Sequence, residues 1–406
     1  MKLVKLGPLD KWANRALVPK LFFAMRFALL GSHPDGLAMA WAVSQSGRDE
    51  LAGYSGPATG ADFLGEHDIP VKSAGDMEEV LADPAIEAVI VGGRLADRPA
   101  QLRRALQSER HVLCVYPPDD SPNIAYEAAM IQGDTHKVLL PLLPDMLHPA
   151  VQRLVETVRG PLGGVRLVTI DCALPEDALI NPRQPGQKAS FPHWDVLRVI
   201  GGEIIEVSAT SSGEHLEPGD PVLLAGRFEH GGLFHLALLP AREDRSWRLR
   251  AVGHRGEAEL SFPQGWAGPA CLRWDQHTEN WDAQNPWPAL VEVFDQTVIG
   301  ANPVSGHRIP TWQDATRCLE LDDAARRSLE RRRASSLDYQ EASEEVGFKG
   351  TMTLVGCGLL WCVLLLLILS AWFPKVGWLI IPVLALFLAL QLLRWLIPRR
   401  TASRTN

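Results

Sequence analysis

The stretch that most constrains this chain is Arg26 to Gly36, RFALLGSHPDG. Phe27 to Leu30 is a short apolar run that stops at Gly31, and a helical pattern, LAMAWAVSQ, begins just after Gly36. Strand, glycine turn and helix in this order aim backbone N–H groups and a helix N-terminus at one point, where an anion such as a dinucleotide pyrophosphate can sit. The dinucleotide fingerprint is G-x-G-x-x-G; here its first and third glycines are Gly31 and Gly36, and His33 takes the middle place. A buried α/β turn with no ligand produces the same pattern, so the stretch alone leaves both readings open.

The next hundred residues repeat the alternation. LAGY (51–54) reads as a strand, residues 74–84 as a helix, Ala88 to Val91 as a buried strand closed by Gly92-Gly93, and 99–110 as an amphipathic helix. Residues 111–118 and 137–143 read as strands flanking a helix at 123–134. Strands alternating with helices predict right-handed crossovers and a parallel sheet. Ligands in such sheets lie beyond the carboxyl ends of the strands. That rule places Gly31, Ser55, Gly93 and Tyr116 on one rim.

From 164 onward the pattern changes. Residues 164–172, 203–211, 220–228, 233–239, 247–253 and 257–262 are strand-like and separated by turn signals such as Glu229-His230-Gly231-Gly232. Residues 264–290 carry Trp266, Trp274, Trp281 and Trp287 among prolines and glycines, and read as an irregular loop that lids a pocket, buries against a partner or packs its indoles underneath itself.

A formal net charge of −8 argues against a general nucleic-acid binder. The six cysteines form no C-x-x-C pair, and the twelve histidines show no metal spacing, so neither a zinc site nor a disulfide framework is expected.

Several segments resemble the glucose–fructose oxidoreductase, inositol dehydrogenase and rhizopine-catabolism (Gfo/Idh/MocA) family. They are MEEVLADPAIEAVIVGG (77–93), HVLCVYP (111–117), LHPAVQRLVETVRGPLGGVRLVTID (147–171), FPHWDVLRVIGGEIIEVSAT (191–210), RFEHGGLFHLAL (227–238), RLRAVGHRGEAEL (248–260) and DATRCLELDDAARRSLER (314–331). The resemblance spans roughly residues 26 to 335. It implies a Rossmann NAD(P)-binding-like domain at 26–148 and an α+β domain at 149–335 with an open, mostly antiparallel sheet. One face of that sheet would pack on helices and the other would offer a homo-oligomer surface.

The resemblance also implies hydride transfer between NAD or NADP and a sugar-like carbon. The family's Glu-Lys-Pro triplet falls on Val115-Tyr116-Pro117, so the lysine is replaced by Tyr116. Its histidine and aspartate fall on the region of His193 and Asp195, which stand one residue closer than the family's H-x-x-D. Either Asp195 keeps its place and Pro192 takes the histidine's, or His193 keeps its place across a one-residue deletion. The family's arginine before His-Pro is Met146. Cofactor contacts are expected from Gly31, His33, Gly36, Ser55, Gly93 and Pro117. Ser55 stands where an acid would hold the ribose; it suits a 2′-phosphate with a nearby arginine, or no dinucleotide at all. Arg94 reads as a phosphate contact or a plain surface side chain. These departures leave two functions: an NAD(P)-dependent oxidoreductase on a sugar or polyol derivative, or a catalytically inactive relative serving as a nucleotide-binding or assembly module.

The two ends need no family. Residues 1–25 read as a basic and apolar leader that packs on the first domain or lies near a membrane surface. A charged linker (336–350) precedes two apolar runs, Thr351 to Phe373 and Trp378 to Ile397, joined by Pro374-Lys375-Val376-Gly377. Each is long enough to span a bilayer, so 351–397 reads as a transmembrane helical hairpin, followed by a basic tail at 398–406. Arginines flank both ends and the loop carries only Lys375, which puts the soluble body and the C-terminus in the cytoplasm. No charge stands mid-span, so the hairpin reads as an anchor or a partner-helix surface, not an ion path.

Overall fold

The protein is described by a computed structural model. It describes residues 24–336 apart from 176–178, 180–189, 214–215, 242–245, 302–307 and 333–334, together with Leu366. The leader up to residue 23, the linker after Ser336, the hairpin at 351–397 apart from Leu366, and the basic tail therefore lie outside the described residues. Among the described residues, no helix is long and apolar enough to cross a membrane.

The first half builds a six-stranded parallel sheet from β1 (Arg26–Leu30), β2 (Glu50–Ser55), β3 (Lys72–Ser73), β4 (Ala88–Val91), β5 (His111–Val115) and β6 (Leu139–Leu142). Their order is β3-β2-β1-β4-β5-β6, the doubly wound order in which the crossover direction reverses between β1 and β4. β1 and β4 are apolar because helices cover both faces: Phe27 to Leu30 and Ala88 to Val91 are all fully buried. The crossover helices are α1 (Pro34–Gln45), α2 (Ala58–Glu66), α3 (Met77–Ala82), α4 (Arg98–Gln107) and α5 (Asn123–Thr135).

A 3₁₀ turn (Pro144–Leu147) and α6 (Pro149–Arg159) lead into the second sheet. It contains β7 (Leu167–Leu174), β8 (Ile204–Ser211), β9 (Val222–Phe228), β10 (Leu233–Pro240), β11 (Trp247–Val252), β12 (Glu257–Phe262), β13 (Ala270–Trp274), β14 (His277–Trp281) and β15 (Ser335–Ser336), in the order β14-β13-β12-β11-β7-β10-β9-β8-β15. All neighbours are antiparallel except the central pair β7 and β10. The region expected as one irregular loop, 264–290, instead contains the β13–β14 hairpin and the start of α8 (Trp287–Val298). The indoles mislead there because Trp274 is a core residue of a strand, not a loop side chain.

The inner face of this sheet packs on α6, α7 (Trp194–Gly201) and α9 (Trp312–Arg331). The outer face leaves Leu223, Leu233 and Leu239 exposed. α9 serves both sheets: Trp312, Ala315 and Leu319 pack with β1 and β4, while Cys318, Leu321, Ala324 and Ala325 pack with the second sheet. α8 likewise returns to the first sheet, where Phe294 sits 5.7 Å from Phe27, ring centre to ring centre.

Candidate active site

The rim of the parallel sheet and the N-terminus of α7 face one another. On the rim, Gly31 has φ +100°, and a Cβ there would overlap Gly93 Cα and come within 2.5 Å of the Gly92 oxygen. The β1 turn is tied to both neighbouring strands, with Gly31 N donating to the Ser55 carbonyl at the end of β2 and His33 N to the Gly92 carbonyl after β4, both at 2.8 Å. A Cβ on Gly36 would meet Gly92 Cα at 3.2 Å. Two of the three fingerprint glycines are thus explained by strand–helix packing.

His33, at the middle place, has ordinary extended backbone (φ −63°) and caps α1: Asp35 N donates to its Nδ1 at 3.3 Å. Burial, and then Arg98, push its pKa down to about 4, so the ring is neutral with its proton on Nε2. Pro34 at the first helical position has no N–H to offer. Buried Arg98 lies beneath the turn, donating through Nε to the Gly93 carbonyl (2.9 Å) and through Nη1 to the Pro117 carbonyl (2.6 Å). Ser55 is half-buried at the end of β2. Arg94 is an exposed side chain paired with Asp97 at 2.7 Å.

Tyr116 follows β5, and its peptide bond to Pro117 is cis. Its hydroxyl oxygen is shielded from solvent and has no hydrogen-bond partner among the described residues. Burial, together with Asp322, Cys318 and Asp195, raises its pKa well above the ordinary value, so it is a donor and not a base at neutral pH.

His193 stands at the N-cap of α7 with φ +74°. Its ring centre is 3.5 Å from that of Trp247, and its Nε2 is 3.8 Å from Cys172 Sγ. Burial lowers its pKa to about 3. Asp195, in the first turn of α7, is buried. Burial and the charge of Asp145 raise its carboxyl to about 7, against the lowering pull of His193 and of backbone N–H groups. Tyr116, His193 and Asp195 therefore share one electrostatic neighbourhood.

Asp145 is the member the sequence reading missed. It lies in the 3₁₀ turn after β6, with Oδ2 3.7 Å from His193 Nδ1, and burial and Asp35 raise it to about 7. An acid just past a strand's carboxyl end was the available signal, since the rim rule applied to β4 and β5 holds equally for β6. Asp322 of α9 is a structural neighbour: it accepts from Phe191 N, Trp194 Nε1 and Ser190 Oγ, each at 2.8 Å. Trp266 stacks on Phe262 at 4.6 Å, edges against His148 and lies parallel to the His193 ring at 6.0 Å, so it packs between the core and the start of α7. Among the described residues, no group of three or more His, Cys, Asp or Glu is placed to hold a metal ion.

No protein-family model and no curated protein sequence matches the chain. Its structure is similar to solved structures of low identity. These include myo-inositol dehydrogenase from Lactobacillus casei in complex with NAD(H) and myo-inositol (17% identity, 79% of this chain and 99% of that one, TM-score 0.63). Levoglucosan dehydrogenase in complex with NADH and levoglucosan is similar at 14% identity, covering 78% and 100% with a TM-score of 0.65. Aldose–aldose oxidoreductase from Caulobacter crescentus, complexed with glycerol, is similar at 16% identity, covering 78% and 100% with a TM-score of 0.65. At these identities the likeness is one of fold: a six-stranded parallel sheet joined to an open mixed sheet.

Proposed function

We propose that this chain is an NAD(P)-dependent oxidoreductase of the Gfo/Idh/MocA type acting on a sugar or polyol derivative. The observation that carries the reading is the meeting of the Gly31 turn, Tyr116 and the Asp145–Asp195 carboxyls at one rim. The similar structures that hold NAD(H) or NADH beside a sugar-like molecule support it.

The rim fits a dinucleotide in an altered way. Where the fingerprint has a bare glycine, the neutral His33 ring presents Nε2–H as a donor to a phosphate oxygen, and buried Arg98 places positive charge behind it. Gly31 and Gly36 keep the turn close to β4, and Ser55 offers a hydroxyl to the ribose. Gly93 and Pro117 line the approach to the nicotinamide end. The bound cofactor would accept or supply the hydride.

The protein's own part is to handle the proton. In the oxidation direction the Asp195 carboxylate takes the substrate hydroxyl proton, since its pKa is raised to about 7. Tyr116 donates its O–H to the same substrate oxygen, holding it in line and standing where the family has lysine. His193 stays uncharged and fixes the start of α7.

One set of observations favours the inactive relative. Pro34 lacks an N–H and the Asp35 N–H is already capped by His33, so the helix N-terminus offers an anion fewer donors than an open one. Calorimetry of the full chain in detergent micelles with NAD(H) and NADP(H) separates the two. Micromolar binding supports the oxidoreductase; no heat at millimolar dinucleotide overturns it in favour of a binding or assembly module.

The apolar hairpin at 351–397 is proposed to hold this body on the cytoplasmic face of a bilayer, and the open sheet face with Leu223, Leu233 and Leu239 to pair with a second copy. Membrane flotation, protease protection and light scattering test these points directly.

A further inference from the structure

Several acids on this molecule that are taken out of water are matched with cations. Asp314 is held by Arg198 at 2.7 Å and Arg308 at 2.6 Å, and Glu203 by Arg198 at 2.5 Å and Arg317 at 3.3 Å. Asp49 and Asp295 share Arg48. Asp145 and Asp195 differ. Among the described residues, no lysine or arginine lies within ion-pair distance of either, and their one close basic neighbour is the neutral ring of His193. The groups that face them include Asp35 of α1, Cys172 of β7, Cys318 of α9 and Tyr116, none of which carries positive charge.

Two further polar atoms in the same place are unsatisfied. His193 has its side chain only 8% exposed, and its Nδ1 points toward Asp145 without a hydrogen-bond partner. The Tyr116 hydroxyl is likewise buried without one. Carboxyls drawn partly out of water with no cation beside them, and orphaned polar atoms, are costly, and together they mark where a ligand's charge belongs.

We propose that the substrate is a cationic, aminated sugar or polyol whose ammonium group seats between the Asp145 carboxylate and His193 Nδ1, leaving Asp195 for the reacting hydroxyl. An ammonium has three N–H donors, and the two oxygens of one carboxylate and one imidazole lone pair match them in number. The lysine-to-tyrosine exchange at Tyr116 then has a reason: a fixed cation there would repel the incoming amine. The proposal rests on the oxidoreductase reading only for calling the ligand a substrate; the ammonium site stands on its own.

The test is equilibrium binding to the full chain by three linear polyols that differ at one carbon: glucamine, sorbitol and gluconate. Glucamine is expected to bind roughly tenfold or more tighter than sorbitol, with gluconate weakest. Asp145→Asn should erase the preference for the amine, whereas Asp195→Asn should keep most of it. Equal binding of glucamine and sorbitol by the wild type, or tighter binding of gluconate, overturns the proposal without any variant. The titration is run beside the dinucleotide one. Amine binding without dinucleotide binding keeps this site and removes the oxidoreductase; dinucleotide binding with no amine preference does the reverse.

Discussion

Gly31 and Gly93 meet backbone to backbone, so the turns after β1 and β4 form one unit. A side chain at Gly31 has no room and must also adopt φ +100°. Gly31→Ala is expected to lose about 1–3 kcal/mol from the backbone alone, with the overlap adding to it. Thermal melting checks this, and Gly36→Ala, where the nearest atom would be 3.2 Å away, should fall well short of that loss.

Arg198 and Asp314 form a fully buried pair that ties α7 to α9. Arg198→Met leaves Asp314 with less compensation and should cost about 3–5 kcal/mol in urea unfolding. Burial pushes the Asp314 carboxyl up, but Arg198 and Arg308 outweigh it and hold it below its ordinary value. A depressed carboxyl contributes stability that is present above the unfolded pKa, near 4, and lost as pH falls through the folded one. The wild type should therefore lose stability in that acid window more steeply than the variant.

Asp145 and Asp195 both sit at about 7. Substrate oxidation should rise with pH through about 7 as the carboxylate forms. Asp195→Asn should lower kcat by about 100- to 10,000-fold and flatten the profile. A pH profile unchanged in Asp195→Asn would remove Asp195 from proton transfer.

The Tyr116 hydroxyl makes no hydrogen bond among the described residues. Tyr116→Phe should leave the melting temperature unchanged or slightly raised, because an unpaired buried hydroxyl stabilises nothing. Turnover should fall about a hundredfold, since a donor to the reacting oxygen is lost.

His33 has a structural duty that can be measured apart from any ligand. His33→Ala removes the α1 cap and should cost about 1 kcal/mol. Dinucleotide affinity should drop in the same variant, whereas a capping role alone would leave it unchanged once the protein is folded.

The elements legible in the sequence were those whose own residues carried the pattern. Ala88 to Val91 reads as a buried strand in isolation, and Gly31 and Gly36 punctuate their helix where the structure does. α2 was missed because ATGADFLGE contains two glycines and buries only Gly60 and Leu64, too little for a helical stripe. β13, β14 and the start of α8 were hidden by Trp and Pro that resemble loop composition, although Ala270, Leu272 and Trp274 alternate inward in the strand. The parallel pairing of β7 with β10 depends on a long connection that no local pattern records. At the rim, Tyr116 and Asp195 are picked out by the resemblance as expectations; Asp145 is not, because what sets it apart is its place near His193, about fifty positions away.

The dual role of α9 bears on how the chain is made. The parallel sheet is complete in hydrogen bonds by Leu142, yet Phe294 of α8 and Trp312, Ala315 and Leu319 of α9 cover it from far downstream. On the ribosome, that sheet waits with apolar ground open until the second sheet has been synthesised. The two halves of the fold are therefore finished together, and a gene cut near residue 148 would release a first half that still lacks part of its cover.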